Sequence, residues 1–234
     1  MNATEREHVV VSVGGSLIVP DGIDTDFLAR FKTLILEKVQ HGFTFSIITG
    51  GGKTARRYQE AANAVTPLSP QDLDWIGIHA TRLNAQLLRN IFVGYAHPKI
   101  IKNPTIDIET PEPVIVAAGW QPGWSTDYCA VMMAKNMGAR RLVNLSNIDY
   151  VYTEDPRNPS ADGPLPKKIE KISWAEFRKL IPEEWDPGLS SPFDPIAAKE
   201  AEALGLEVVI INGAKLEEFS NYLDSKPFVG TIIS

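Results

Sequence analysis

The chain has 234 residues, a formal net charge of −6 and 44% hydrophobic residues, and it can bury roughly 70% of its extended surface without a staple. An acidic chain without a basic block excludes nucleic acid and an anionic membrane as main partners. A lone Cys129 and four scattered histidines (His8, His41, His79, His97) exclude disulfides and give no metal-ligand spacing, so no protein-held metal is expected.

The first apolar run, His8 to Val13, is short and β-branched and predicts a buried strand that breaks at Gly14-Gly15-Ser16. Phe27, Leu28, Phe31, Leu34, Ile35 and Val39 repeat at helical spacing, with Asp24 or Asp26 as the cap and Gly42 as the stop. Phe43 to Ile48 predicts a second strand ending in Gly50-Gly51-Gly52, and a helix follows from Lys53 to about Asn63. Gln71 to Phe92 predicts a long helix whose apolar face includes Leu73, Ile76, Ile78, Leu83, Leu87, Leu88 and Ile91. Gly94 to Pro113 is proline-rich loop.

Val114 to Ala118 is a strand running into Gly119-Trp-Gln-Pro-Gly-Trp-Ser-Thr126, then a helix to Gly138 and a strand from Arg141 to Leu145. Arg157 to Pro166 is loop, and Ser173-Trp-Ala-Glu176 opens a short helix with a capping box. Asp194-Pro195 starts a helix that stops at Gly205, followed by a strand from Leu206 to Ile211, a helix from Lys215 to Leu223 and a strand from Phe228 to Ile233. Strands alternating with helices at this spacing give an α/β fold with a largely parallel sheet covered on both faces. No apolar run approaches the roughly 20 residues that span a bilayer and the N-terminus is polar, so the expected compartment is the cytoplasm.

Three strands end in glycine loops that lead into helices, where backbone N–H groups and helix dipoles suit a phosphate. Gly52-Lys53-Thr54 is no P-loop, because the required first glycine falls on Ile47. Neither G-x-G-x-x-G nor G-x-S-x-G occurs. Lys53, Arg56 and Arg57 stand at a helix start, where positive charge is mildly unfavourable unless an anion offsets it, and Arg56 suits a bidentate phosphate clamp. Read alone, Asp74 and Lys199 are ordinary surface residues and Asp194 is a helix cap. The Trp120 to Thr126 loop combines stacking surfaces with hydroxyls, which gives binding a modest edge over a plain core role.

Four segments together resemble the amino-acid-kinase fold family, within it the uridylate (UMP) kinases of the type seen in archaea and some bacteria. They are Gly50-Gly-Gly-Lys-Thr-Ala-Arg-Arg-Tyr58, Gly119-Trp-Gln-Pro-Gly-Trp-Ser-Thr-Asp127, Asn147-Ile-Asp-Tyr-Val-Tyr-Thr-Glu-Asp-Pro156 and Phe193-Asp-Pro-Ile-Ala-Ala-Lys199. The resemblance implies a three-layer αβα sandwich, one unit over residues 1–234, that moves the γ-phosphoryl group of ATP to UMP. It places the acceptor site with about residues 1–112 and the ATP site with about 113–234. It assigns Gly14, Gly15, Ser16, Gly52 and Arg56 to phosphates, and Ser146, Asn147, Tyr152 and Asp155 to the nucleoside end of ATP. Gly51, Asp74, Trp120, Gln121, Pro122, Gly123, Trp124, Ser125 and Thr126 fall to UMP. Asp194 organises the phosphate site, Mg²⁺ arrives on the ATP phosphates, and the assembly is a homo-oligomer, a hexamer in many members.

The family's lysine before the first glycine pair is replaced by Ser12-Val13, as in archaeal-type members, so its charge must come from Lys53 or Lys199. Tyr150 stands where a glycine with positive φ is usual, a cost of about 1 kcal/mol if that geometry is kept. Two alternatives are a same-fold kinase for another acid and a non-catalytic nucleotide-binding or storage protein.

Overall fold

The computed structural model describes residues 6–156, 165–182 and 191–234. The β-branched run at the start forms β1 (Glu7–Val13), whose side chains alternate between the two faces of the central sheet. Val9, Val11 and Val13 join one core, and Val10 the other. The chain then makes α1 (Gly15–Ile18), α2 (Thr25–Gln40), β2 (Phe43–Thr49), α3 (Gly52–Val65), α4 (Pro70–Ile91), β3 (Val114–Ala117) and α5 (Thr126–Met137). β4 (Arg141–Ser146), β5 (Val151–Tyr152), β6 (Lys168–Ile169), β7 (Lys171–Ile172), α6 (Trp174–Phe177), α7 (Pro195–Ala203), β8 (Glu207–Asn212), α8 (Leu216–Leu223) and β9 (Thr231–Ile233) complete it.

The sheet order is β3-β2-β1-β4-β8-β9-β7, with β5 and β6 pairing separately. Five strands run parallel from β3 to β8, and β9 is antiparallel to β8. Phe27, Phe31 and Ile35 of α2, Leu88 of α4 and Phe219 of α8 pack with one face of the sheet. Cys129 and Met133 of α5, Phe177 of α6 and Ala198 of α7 pack with the other. The result is the expected αβα arrangement. No helix among the described residues is long and apolar enough to cross a membrane.

Most helix ends follow the sequence signals. Asp24 caps α2, and Ser173 and Asp194 cap α6 and α7. Four expectations change. Leu83 is 63% exposed, because the buried stripe of α4 runs through Ile78, Thr81, Ala85 and Leu88, and Asn84 joins it. The last strand is only Thr231–Ile233, because the Val229 amide donates to the Glu218 carboxylate at 2.8 Å and Phe228 packs edge-on against Tyr222. Tyr150 has no positive φ, so the expected strain is absent; among the described residues Ser225, at φ 56°, is the one non-glycine in that region. The short elements α1, β6 and β7 are additions that periodicity is too coarse to signal. Of the expected loop from Arg157 to Pro166, residues 157–164 lie outside the described residues.

Two titratable groups are built into the scaffold. Lys38, 2% exposed at the end of α2, donates to Asp224 at the end of α8 at 2.6 Å, and the pairing with Lys38 and Lys226 holds Asp224 down to about 2. At the same end of the sheet but on its other face, that of Val10, His8 bridges Thr44 Oγ1 at 2.8 Å and Ser46 Oγ at 2.9 Å, and burial pushes its imidazole down to about 4.

Asp224→Ala strands the buried ammonium of Lys38 and is expected to cost on the order of 2 kcal/mol, less than a fully enclosed pair because Asp224 touches water. Lys38→Met keeps the stem packing and is expected to cost less; thermal melts of the two variants check the order. Because the folded state binds the His8 proton more weakly than the unfolded chain, that residue's contribution is complete above about pH 6.5 and is lost as pH falls toward 4. Chemical denaturation of wild type and His8→Asn between pH 7 and 4 should show a shallower acid loss in the variant.

Candidate active site

The chain runs outward from β1 to β2 and β3, then returns through α5 to β4 on the other side of β1. In a parallel sheet, that reversal leaves a crevice beyond the carboxyl ends of the two diverging strands. The three glycine loops and the turn after β4 stand around it. Gly50 donates to the Val13 carbonyl at 2.9 Å and Gly14 to the Leu145 carbonyl at 3.0 Å, so the ends of β1, β2 and β4 are stitched together.

The first two loops meet backbone to backbone. A Cβ on Gly15 would stand 2.0 Å from the Gly52 nitrogen, and one on Gly52, at φ +61°, would stand 2.3 Å from the Gly15 carbonyl oxygen. Asn84, buried on α4, donates to the Gly50 carbonyl at 2.8 Å. Among the described residues no acceptor takes the amides of Gly15, Ser16, Gly51 or Gly52. These donors at the starts of α1 and α3 suit an anion.

The expected cations divide. Arg57 bonds Asp21 at 2.6 Å and Lys53 lies 3.7 Å from the same carboxylate, which offsets their charge at the helix start. Arg56 is exposed and makes no ion pair among the described residues. Lys199 is not brought to the crevice. It projects from the exposed side of α7 and lines a separate hollow of about 670 Å³ with Arg178 and Lys179.

Asp194 points the other way. It is 6% exposed, its side chain accepts from the Ala197 amide at 2.7 Å, and its own amide donates to Asp127 Oδ2 at 3.2 Å. Ser12 bonds Asp127 and Ser125 bonds Asp194. Burial, and then the neighbouring Asp194 charge, push the Asp127 carboxyl up to about 7; burial also raises Asp194. Sequence places Asp127 in the Ser125-Thr126-Asp127 cluster at a helix start but gives it no role of its own, because an Asp in a first helical turn needs no further explanation.

Beyond β4, a cavity of about 470 Å³ is lined by Ser146, Asn147, Tyr152 and Asp155, the four residues that the family resemblance assigns to the nucleoside end of ATP, together with Tyr150. Its wall is fixed by Asp149, which accepts from Lys215 at 2.8 Å and Asn212 at 2.8 Å; these bonds hold its carboxyl below the usual range. Lys168 lies 4.9 Å from the Tyr150 ring centroid.

On the other side stands the tryptophan loop. Trp120 meets Trp124 edge to face at 4.5 Å, Trp124 meets Tyr128 at 4.4 Å, and both indoles also pack on the core. Ser125 caps α5 through the Tyr128 amide at 3.0 Å, and Thr126 is its first residue. Asp74 is not free: its Oδ2 accepts from the Gly123 amide at 2.9 Å. A hollow of about 590 Å³ beside this loop is lined by Trp120, Gln121 and Pro122 together with Trp75, Arg82 and Lys102. Thr81, Arg82 and Asn84, which hold the loops, were missed. Their signal was available as polar residues interrupting the apolar stripe of a long helix.

The pattern of the amino acid kinase family matches residues 7–212. The uridylate kinase of Pyrococcus abyssi is 34% identical over 211 residues, 87% of this chain and 89% of that protein. That of Methanocorpusculum labreanum is 32% identical over 229 residues, 97% of this chain and 95% of that protein. The crystal structure of uridylate kinase from Archaeoglobus fulgidus matches with a TM-score of 0.80 at 28% identity, covering 97% of this chain and 99% of that one. With the glycine-loop crevice, these likenesses decide the matter: the chain belongs to the amino acid kinase family and groups with its archaeal uridylate kinases.

Proposed function

We propose that this chain transfers the γ-phosphoryl group of ATP to UMP, giving UDP. The observation that carries the reading is the arrangement of two hollows at the carboxyl edge of the sheet. One is walled by Tyr152, Asn147 and Asp155, the other by the tryptophan loop, and the unpaired glycine amides belong to the same edge. The first suits the ATP nucleoside and the second the acceptor, in line with the names of the archaeal relatives.

Phosphoryl transfer needs in-line positioning and positive potential more than covalent help. In this reading the amides of Gly15, Ser16, Gly51 and Gly52 hold phosphate oxygens, and Arg56 clamps the phosphates from the mouth. Lys53 is the better candidate for the missing lysine's charge, since Lys199 faces elsewhere; Asp21 would yield it to the phosphates. Asp194 holds the start of α7 in place and closes the acidic side through Asp127. Among the described residues, no three His, Cys, Asp or Glu side chains cluster as a metal cage. The amide donors present suit phosphate oxygens, so Mg²⁺ would come on the nucleotide's own phosphates, where it would neutralise charge developing on the transferred group. The acceptor half, about 1–112, the ATP half, about 113–234, a cytoplasmic setting and a homo-oligomer of hexamer type complete the proposal.

A coupled assay of ADP release with ATP, Mg²⁺ and UMP, beside CMP, acetylglutamate and no acceptor, tests it. UMP-dependent turnover above the others is expected; an ATP-raised melting temperature with no turnover on any acceptor would replace the kinase by a binding protein. Within that assay Arg56→Ala should impair UMP use, and Asp74→Asn should raise the UMP KM roughly tenfold, the worth of one charge-assisted hydrogen bond. An unchanged UMP KM would remove Asp74 from the acceptor site. Tyr152→Ala should raise the ATP KM roughly fivefold through lost stacking and leave the UMP KM near wild type; equal rises would place Tyr152 elsewhere.

A further inference from the structure

Helix α4 grips the tryptophan loop at three places. Thr81 Oγ1 accepts the Gly119 amide at 2.9 Å, Arg82 donates from Nη2 to the Trp120 carbonyl at 2.8 Å and from Nε to the Gly119 carbonyl at 3.4 Å, and Asp74 accepts the Gly123 amide at 2.9 Å. Thr81 is locked in turn: its hydroxyl donates to Ile78 at 2.7 Å and its carbonyl accepts from the Thr49 hydroxyl at 2.9 Å. Asp74 and Arg82 are eight residues apart, about 12 Å along one helix. One rigid element therefore sets both ends of the loop.

Arg82 differs from its neighbours. No carboxylate pairs with it among the described residues; its guanidinium is held by two main-chain carbonyls and lies 5.8 Å from the ring centroid of Trp75. A forked, planar donor fixes the direction of both carbonyls at once, which a lysine does not. A trans peptide points its N–H opposite to its C=O. Drawing the Trp120 carbonyl to the guanidinium therefore turns the Gln121 N–H away from it, and Gln121 lines the hollow proposed for the acceptor. Among the described residues nothing accepts that N–H.

We propose that Arg82 is a positioning residue for the phosphoryl acceptor: it fixes the Trp120–Gln121 peptide so that the Gln121 N–H is presented to a hydrogen-bond acceptor on the bound nucleobase. This rests on the acceptor lying against the tryptophan loop, as proposed above. Arg82 itself touches no reacting atom.

The test uses the full chain carrying Arg82→Gln or Arg82→Lys, with steady-state kinetics for both substrates. Arg82→Gln is expected to raise the UMP KM about tenfold, with kcat and the ATP KM within twofold of wild type. Arg82→Lys, which keeps one charged donor, should fall between. In a Trp75→Phe background, acrylamide quenching of tryptophan fluorescence without substrate should increase in Arg82→Gln, because Trp120 and Trp124 lose their brace. A rise in both KM values together, or a lowered melting temperature with unchanged UMP KM, would reduce Arg82 to a structural residue and overturn the proposal. Increased quenching with an unchanged UMP KM would overturn it too, since the brace would then hold the loop without presenting it to the acceptor. If wild type turns over no UMP, the kinase reading fails separately, and the substrate-free quenching still decides: no change in Arg82→Gln removes the brace. Should Arg82→Gln fail to fold, Arg82→Lys alone must show the KM split.

Discussion

Everything at the carboxyl edge of the sheet depends on the close approach of two glycine loops. Val13 of β1 and Thr49 of β2 are paired in parallel register, so the two strands end level. Beyond them the backbones press together where a Cβ on Gly50 would stand 2.6 Å from the Gly15 nitrogen and one on Gly15 2.0 Å from the Gly52 nitrogen. No side chain fits between them, so α1 and α3 must begin from one shared point. Amide donors that neither helix can satisfy internally are thereby gathered in one place. Gly213, after β8, closes the same edge: a Cβ there would stand 2.2 Å from Leu17 Cδ1.

A crevice made of orphan amides needs the rest of its loop backbone held in place, and α4 does this by donating to the Gly50 carbonyl and accepting the Gly119 amide. Its buried stripe carries Thr81 and Asn84 where an apolar helix would carry leucine, and both side chains end on loop backbone. Burying such groups is tolerated because each is hydrogen-bonded. The same helix thus serves two purposes: Ile78, Ala85 and Leu88 are buried, and the polar positions between them orient two of the three loops.

Charge is arranged asymmetrically around the crevice. Lys53, Arg56 and Arg57 stand at the start of α3, whereas Asp127 and Asp194 lie at the starts of α5 and α7 with, among the described residues, serine hydroxyls and amides as their hydrogen-bond partners. Two ionised carboxylates so placed would repel each other and any phosphate brought between the loops. A carboxyl pushed up to about 7 keeps a proton for part of the time near neutrality, which lowers that repulsion without a cation. Ser12 supplies a hydrogen bond to the same carboxylate, where no cation pairs with it among the described residues.

The fold was legible because its signals repeat. β-branched runs ending in glycine loops fixed the strands, and caps such as Asp24 and Asp194 fixed the helix starts. The four residues proposed for the ATP nucleoside proved to line one cavity. What sequence hid was direction. Asp194 and Lys199 belong to one motif, yet five residues on a helix turn a side chain through about 140°, so one meets Asp127 and the other faces a separate hollow. Leu83 was assigned to the core by its type, whereas Thr81 and Asn84 hold the buried positions because the loops' backbone groups need partners there. Tyr150 resembled a strained replacement only while a glycine-like φ was assumed. With an ordinary φ, it can place its ring beside Lys168 and line the same cavity as Tyr152, so a family departure that looked like a cost adds a second aromatic wall to that cavity.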